Sequence, residues 1–558
     1  MNNFNHIKHT KSVINYSKGG FITSILKYFH KSKKSTVAKQ NQKTEKKLPP
    51  QIKLSLDLAS NIEIIKKMLG FSSDITVRNF TISPDAEIRA AVIFIKGLAE
   101  RELINEQVIG ALMLNDRFNG FKNTNEFFQT IKEYGLPNTY VNEESDINNI
   151  VTELIDGNTV LLLDKIDKVL IIGSAGWKDR AISEPTSENS VRGPKDCFTE
   201  NIENNTALIR RHIKSSNLRI ESFKIGTKTK TTVLIAYLKG IAREGIIDEV
   251  RERLGRIKID GILESGYIEE LIEDTPSSIF PQIEHSERPD KISAAILEGR
   301  VAILVDTTPY VLIVPTLFVQ FIQSVDDYYQ RFPIGSFARF IRIIAYFISI
   351  FLPSLYIALT SFHQEMIPTT LALSIAASRE GVPFPSIGEA FMMEITFEIL
   401  MEAGLRLPKQ AGQAVSIVGG IVVGQAAVQA GIVSQAMVIV VALTGISSFA
   451  IPAFNASSSG RMIRFPLMIL ASVLGLPGIL AGVSIIIIHL NSLNSFGVNY
   501  MEPFISADKS IVEDTVLRKH WWKINRLPGY IARKSIVKQA PNMKPGPKAD
   551  STEKDNNS

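Results

Sequence analysis

Glu394, Glu398 and Glu402 recur every four residues within SIGEAFMMEITFEILMEAG. That spacing puts all three on one face of a helix. Glu389 lies about one turn earlier and slightly off the line. Phe391, Met392, Met393, Ile395, Phe397, Ile399 and Leu400 run between them. Carboxylates among such neighbours are costly away from water, so they must face water, a cation or a basic partner. Two arrangements satisfy them. One is a set of salt bridges to Arg379, Arg406 or Lys409. The other is an acidic ring at the mouth or wall of a cation path in an oligomer.

A second pattern follows at 412–435, GQAVSIVGGIVVGQAAVQAGIVSQ. Gly420 and Gly424, with further Gly and Ala, give a helix a small surface suited to close packing. Gln413, Ser416 and Gln425 add uncharged polarity, with Val423 among the apolar residues between them. Such a helix either packs tightly through amide hydrogen bonds or lines a pore with apolar residues between polar rings. One chain offers a single such helix, so a pore of this kind requires several copies around an axis. His363 and Glu365, just before Pro368, suit a polar helix end, and His363 is a residue type that titrates near neutral pH.

Covalent chemistry has no support. The chain has no G-x-x-x-x-G-K-[ST], no H-E-x-x-H and no G-x-S-x-G. GSAGWKD at 173–179 follows a predicted hairpin and lacks phosphate-loop spacing. Cys197 is the only cysteine, which excludes an intrachain disulfide. No catalytic, cofactor-binding or metal-ligating residue is expected, and the chain is not expected to be an enzyme.

The elements that must carry these residues divide sharply by composition. Of 558 residues, 45% are hydrophobic, and mean hydropathy is +0.09. Residues 337–490 are mostly apolar, whereas the first 335 are polar and mixed in charge. Four stretches approach the roughly 20 residues that a bilayer requires: 337–361, 411–432, 434–454 and 465–490. VLIVPTLFVQFI at 311–322 is shorter and expected at an interface. Segment 386–404 is too acidic to face lipid on all sides and is expected to be interfacial or re-entrant, with an even number of spans. The net charge of +6 sits largely in the two tails, which favours a membrane over nucleic acid as the partner. Residues 1–50 are expected to be a disordered basic tail attracted to anionic lipid. No cleavable signal is apparent.

Residues 51–335 contain a duplication. IRAAVIFIKGLA at 88–99 matches TTVLIAYLKGIA at 231–242. VRNFTI at 77–82 pairs with RIESFKIG at 219–226, and LIDGNTVLLLD at 154–164 with ILEGRVAILVD at 296–306. Three blocks in one order imply two similar lobes. Each is predicted as strand, helix-rich middle and closing hairpin. TENIENNTALIRRHI between them is predicted as a helix with Thr199 as N-cap. The expected fold class is an α/β N-terminal region of two duplicated lobes followed by an all-α multi-span transmembrane domain. Its parts are a tail (1–50), a first lobe (51–183), a connecting loop and helix (184–217), a second lobe (218–335), the membrane domain (336–492) and a basic C-terminal tail (493–558).

Several long runs resemble the A subunits of bacterial spore germinant receptors, the GerA family. They include SVRGPKDCFTENIENNTALIRRHI, VDTTPYVLIVPTLFVQFIQSVDDYYQRF and LPSLYIALTSFHQEMIPTTLALSIAASREGVPFP, followed by FEILMEAGLRLP, AVSIVGGIVVGQAAVQAGIVS, IPAF and EDTVLRKHWWKINRLP. The resemblance spans roughly 60–530. Cys197 departs from it, standing where the family usually has glycine. The resemblance implies a nutrient receptor subunit in the inner spore membrane, with lobes on the cytoplasmic side. It implies a multi-span B subunit and a lipoprotein C subunit as partners, and homo-oligomerisation into a ligand-gated cation channel. Glu394, Glu398 and Glu402 are the residues expected to attract cations. Gln413, Ser416, Gly420, Val423 and Gln425 are expected to form the pore wall. A secondary transporter and a non-conducting receptor scaffold are the competing expectations.

Overall fold

The computed structural model describes residues 52–82, 88–113, 124–176, 185, 188, 190–408, 424–505, 514–532, 537–540 and 543–546. The tail at 1–50 lies outside the described residues.

The duplication is structural. In the first lobe, α1 (Leu58–Met68) precedes β1 (Ile75–Thr81) and β2 (Arg89–Ile95). After helical turns come β3 (Val141–Glu144), α2 (Ile147–Ile155), β4 (Thr159–Leu163) and β5 (Val169–Ile172). The second lobe repeats this with α3 (Ile202–His212), β6 (Leu218–Ile225), β7 (Thr231–Leu238), α4 (Glu244–Arg256) and α5 (Ser265–Ile272). It continues with β8 (Glu284–Ser286), α6 (Pro289–Glu298), β9 (Val301–Val305) and β10 (Val311–Val314). The sheet orders are β1-β2-β4-β5-β3 and β6-β7-β9-β10-β8, with antiparallel neighbours throughout. Both predicted hairpins, β4–β5 and β9–β10, form. The polar edge strands β3 and β8 carry no apolar alternation and were not anticipated.

The inner strands of each sheet are buried on both faces, which explains their continuous apolar runs. Alternate residues of β2 illustrate this. Ala90, Val92 and Phe94 pack with Ile104, Val108 and Phe127, while Ala91, Ile93 and Ile95 pack with α1 and α2. Period-two alternation sends successive side chains into opposite layers.

The helix expected to connect the lobes belongs to the second one. Its N-cap is Asn201, not Thr199. Leu208 and Ile209 of α3 pack against β6, β7 and β9. Buried Asn205 accepts from the Thr199 amide (2.8 Å) and donates to its carbonyl (2.6 Å). In α1, Asn61 does the same with Ser55, at 2.9 and 2.7 Å. The first amides of α1 and α3 are met by Asp164 and Asp306, each at 3.4 Å. Helix α3 is therefore the second copy of α1.

One position separates the copies. In the first lobe, Ala99 bridges Ala175, just beyond β5. In the second, the equivalent Ala242 bridges Ala532 from the C-terminal region. Gly157 (φ +98°) and Gly299 (φ +99°) lie beneath these two segments, where a Cβ would meet Ala175 or Ala532 at 3.3 Å. Ile531 is fully buried in the second core. Within the region expected to be a basic tail, Phe496, Val498, Ile531 and Ala532 pack against the second lobe.

The helical region begins with α7 (Phe332–Ser361), the one helix among the described residues long and apolar enough to cross a membrane. It continues through α8 (Thr369–Arg379), α9 (Ser386–Arg406), α10 (Gly424–Gln429), α11 (Gln435–Phe449), α12 (Phe454–Leu474) and α13 (Leu476–Ser492). The expected span at 465–490 is two helices, because Gly475 at φ +67° reverses the chain before Leu476 and Pro477. The stretch 311–322 is not interfacial. Its first residues are β10, buried in the second sheet. The expected span at 411–432 lies outside the described residues up to 423.

Side-chain contacts fix the helix directions. Thr360 meets Ser386 at 3.0 Å, so α9 starts where α7 ends. Ser459 near the start of α12 donates to the Ile279 carbonyl of the second lobe (2.7 Å). His489 near the end of α13 meets Ser278 (2.9 Å). β11 (Asn494–Ser495) and β12 (Val498–Asn499) then join that lobe, with Ser495 donating to the Gln282 carbonyl (2.9 Å). Both ends of the helical region therefore attach to the second lobe.

Candidate functional site

Helix α9 is one 21-residue helix, about 32 Å long at 1.5 Å per residue. Ala390, Phe391 and Phe397 pack among Tyr356, Met437, Val441 and Met468. It thus lies along the bundle, not across its surface as an interfacial segment would. The acidic stripe is accommodated because every carboxylate meets an arginine.

Glu389 is fully buried. It accepts from Arg379 Nε (3.2 Å) and from the Ser434 amide (2.9 Å) at the start of α11. Glu394 accepts from Arg464 Nη1, and neither side chain is exposed. Arg464 Nε also donates to the Ser349 carbonyl (2.8 Å), which ties α7, α9 and α12 together at one level. Glu398 accepts from Arg461 Nη1 at 2.9 Å. Glu402 accepts from Arg406 on the exposed end of the same helix. An exposed pair of that kind contributes little, about 0.3–0.5 kcal/mol.

The two central pairs are incompletely satisfied. Among the described residues, Glu394 Oε1, Glu398 Oε1, Arg461 Nε and Arg464 Nη2 are buried without a hydrogen-bond partner. Polar groups left so are costly unless water, an ion or a moving partner completes them. The array therefore holds charge in the bundle interior with hydrogen-bonding capacity left over.

Arg379 and Arg406 were anticipated as partners, and both are used. Arg461 and Arg464 were not. Their signal was present: two arginines three apart on a helix complement two glutamates four apart on an antiparallel one. Of the residues expected in the pore wall, Gln425 lies exposed on α10. Gln413, Ser416, Gly420 and Val423 lie outside the described residues. His363 sits beyond the end of α7, its Nδ1 3.4 Å from the Ala358 carbonyl, and Glu365 lies in the turn after it.

The site is mechanically joined to the lobes. Asp327, 1% exposed, accepts from Arg339 Nε (3.2 Å) and Arg342 Nη1 (3.0 Å) in the first turns of α7. Arg339 Nη1 also donates to the Asp514 carbonyl (2.6 Å). A cavity of about 140 Å³ separates β8 from the α11–α12 corner, lined by His285, Tyr310, Phe321, Pro452 and Asn455. Burial works against a charged His285, but the Glu269 carboxylate outweighs it and raises the imidazole pKa above its usual value.

The family model described as Bacillus/Clostridium GerA spore germination protein matches residues 63–530. Spore germination protein KA of Bacillus subtilis (strain 168) is 46% identical over 505 residues, covering 90% of this chain and 92% of that one. A protein of the same organism named uncharacterized membrane protein YfkQ is 42% identical, covering 86% and 92%. The crystal structure of the N-terminal domain of the A subunit of the Bacillus megaterium spore germinant receptor GerK3 is 38% identical, with a TM-score of 0.38. It covers 49% of this chain and 99% of that one.

Proposed function

This chain belongs to the GerA family of spore germination proteins, and from that premise we propose that it is the A subunit of a germinant receptor that conducts cations as an oligomer. It resides in the inner spore membrane beside a B subunit and a lipoprotein C subunit. Nutrient binding, in a partner, shifts the lobes and opens the path. The name of relative YfkQ, a membrane protein, supports the location.

One observation carries this reading: buried glutamate–arginine pairs lie inside a helical region whose two ends both return to the second lobe. Ends on one side require an even number of crossings. Helices α7 and α12 lead away from the lobe, while α9, α11 and α13 lead back. Arg339 and Arg342 at the lobe end of α7 favour the cytoplasmic side for the lobes. Ionisable groups inside a membrane are expensive and mark ion pathways. Glu394, Glu398 and Glu402 would attract the cation, with Arg464 and Arg461 as counterions that part on opening. Gln413, Ser416, Gly420, Val423 and Gln425 would form the wall.

That each glutamate of the stripe has an arginine partner favours a second reading, a scaffold in which the pairs only hold the bundle. Potassium release from nutrient-triggered spores separates the two. Deletion of the chain abolishes release under both. Weakening the Glu398–Arg461 pair at matched protein level abolishes it only under conduction. Single cysteines replacing Lys258 and Glu380 test the crossings. Impermeant thiol reagents must reach them from opposite faces, and labelling from one face would contradict the topology.

A further inference from the structure

Before it reaches the second lobe, the C-terminal chain passes the start of α7 and is fastened there. The Asp514 carboxylate accepts from Tyr328 Oη (2.8 Å), and its carbonyl accepts from Arg339 Nη1 (2.6 Å). Arg518 is buried and donates to the Gln330 carbonyl (2.7 Å). His520 stacks on Phe332, the first residue of α7, with ring centroids 3.7 Å apart. Trp522 stacks on His520 in turn, at 4.2 Å. Residues 514–523 therefore form a hook held at the foot of the helix that is long and apolar enough to cross a membrane.

What this hook leaves outward is both apolar and cationic. Val516, Leu517 and Trp521 are exposed. The Trp521 indole N–H is used inward, donating to the Tyr328 carbonyl (3.4 Å), so the exposed part of the side chain is apolar ring. Apolar surface of this kind is costly in water, and tryptophan is enriched where membrane meets water. Lys523 and Arg526 are exposed and form no ion pair among the described residues. The same holds for Arg331, immediately before α7. From 514 to 544 the sequence has eight lysines and arginines against one acid. That acid, Asp514, is already engaged by Tyr328 and by the Lys519 amide (2.6 Å). The positive charge is thus left for a partner outside the chain.

The neighbouring helix says what that partner is. Ile334, Phe337 and Ile341 are exposed and lie on one face of α7, so an apolar stripe begins beside the hook and runs along the helix. A surface with apolar side chains and long cations at the foot of such a stripe matches the headgroup layer of a bilayer.

We propose that residues 516–526 dock on anionic phospholipid headgroups where α7 enters the membrane. Leu517 and Trp521 sit between headgroups and upper acyl chains, and Arg331, Lys523 and Arg526 meet the lipid phosphates. The hook thereby fixes the foot of α7, and with it the joint to the second lobe, at the membrane surface. This rests on α7 crossing a bilayer, and not on conduction or nutrient sensing.

The test uses the full-length chain with Trp177→Phe and Trp522→Phe, which keeps Trp521 as its sole tryptophan. It is reconstituted into nanodiscs of phosphatidylcholine mixed with phosphatidylglycerol, with one lipid or the other brominated high in its acyl chains. Brominated phosphatidylglycerol quenches Trp521 fluorescence more strongly than brominated phosphatidylcholine at the same fraction. Lys523→Gln or Arg526→Gln each weakens that preference roughly fivefold. Both side chains are exposed, so the variants keep their fold, and Lys258→Gln serves as the unaffected control. Equal quenching by the two lipids overturns the proposal, as does an unchanged preference in both variants. Soluble glycerol phosphate abolishing the preference would overturn the assignment to lipid. Trp521 unquenched by either lipid also overturns it and leaves the surface to an acidic protein. Release of the chain from the discs at alkaline pH would instead contradict the spanning helix on which the proposal rests.

Discussion

Glu394 and Arg464, on helices α9 and α12, form an ion pair in which neither side chain has measurable exposure. Removing one member leaves the other charge buried and uncompensated, which costs about 3–5 kcal/mol. Arg464→Met should therefore sharply lower the thermal stability of the detergent-solubilised chain. The double variant Glu394→Met/Arg464→Met should recover most of it. Equal loss in single and double variants would show that packing, not charge, dominates there.

The Asp74–Arg210 pair links the lobes under the same rule, with 5% and 0% exposure. Asp74→Ala should destabilise by about 3–5 kcal/mol. Its mark is protease cleavage between the lobes before the helical region unfolds. Cleavage at the wild-type rate would mean that the remaining inter-lobe contacts suffice.

Gly299 tests the docking of the C-terminal segment. Alanine there adopts φ +99° and brings its Cβ to 3.3 Å from Ala532 and from the Ile241 carbonyl. Gly299→Ala should cost about 1–3 kcal/mol, as other left-handed non-glycine residues do. It should also expose residues 528–532 to faster amide exchange. Gly157→Ala is the matched control: it strains the first lobe and leaves that segment protected.

Glu273 should make the second lobe pH-sensitive. Burial, then Glu269, Glu270 and Asp274, raise its carboxyl from 4.5 to about 7, against the opposing hydrogen bond from the Gln282 amide. The folded state then holds the proton more tightly than the unfolded chain. Stability from this group is fully present below pH 4.5 and is lost as pH rises to about 7. Thermal unfolding of Glu273→Gln between pH 5 and 8 should fall less steeply than wild type. Parallel curves would remove Glu273 from the account.

The duplication was legible because its marks are local. Gly157 and Gly299 end equivalent helices, and Asp164 and Asp306 follow equivalent strands. The membership of α3 in the second lobe was not legible. LASNIEIIKKM and IENNTALIRRH differ almost throughout, and only Asn61 and Asn205 carry the shared turn. The acidic stripe was evident from its spacing. Its true partners were not, since Arg461 and Arg464 lie 63 and 70 residues away from Glu398 and Glu394. Helical periodicity shows which face is charged, not which helix opposes it. The return of Ile531 and Ala532 to the second core likewise has no local signature, because a short apolar pair in a basic stretch reads as solvated chain.

The most direct test of conduction through the paired charges is potassium release from nutrient-triggered spores carrying Glu398→Gln, at protein levels matched to wild type. Glu398 is the central carboxylate with partial exposure, 30% in its side chain, so its loss spares the fold more than loss of Glu394. The account predicts that release fails although the chain is present and assembled. Release at the wild-type rate would contradict a conducting role for the stripe and leave the pairs as supports of the bundle.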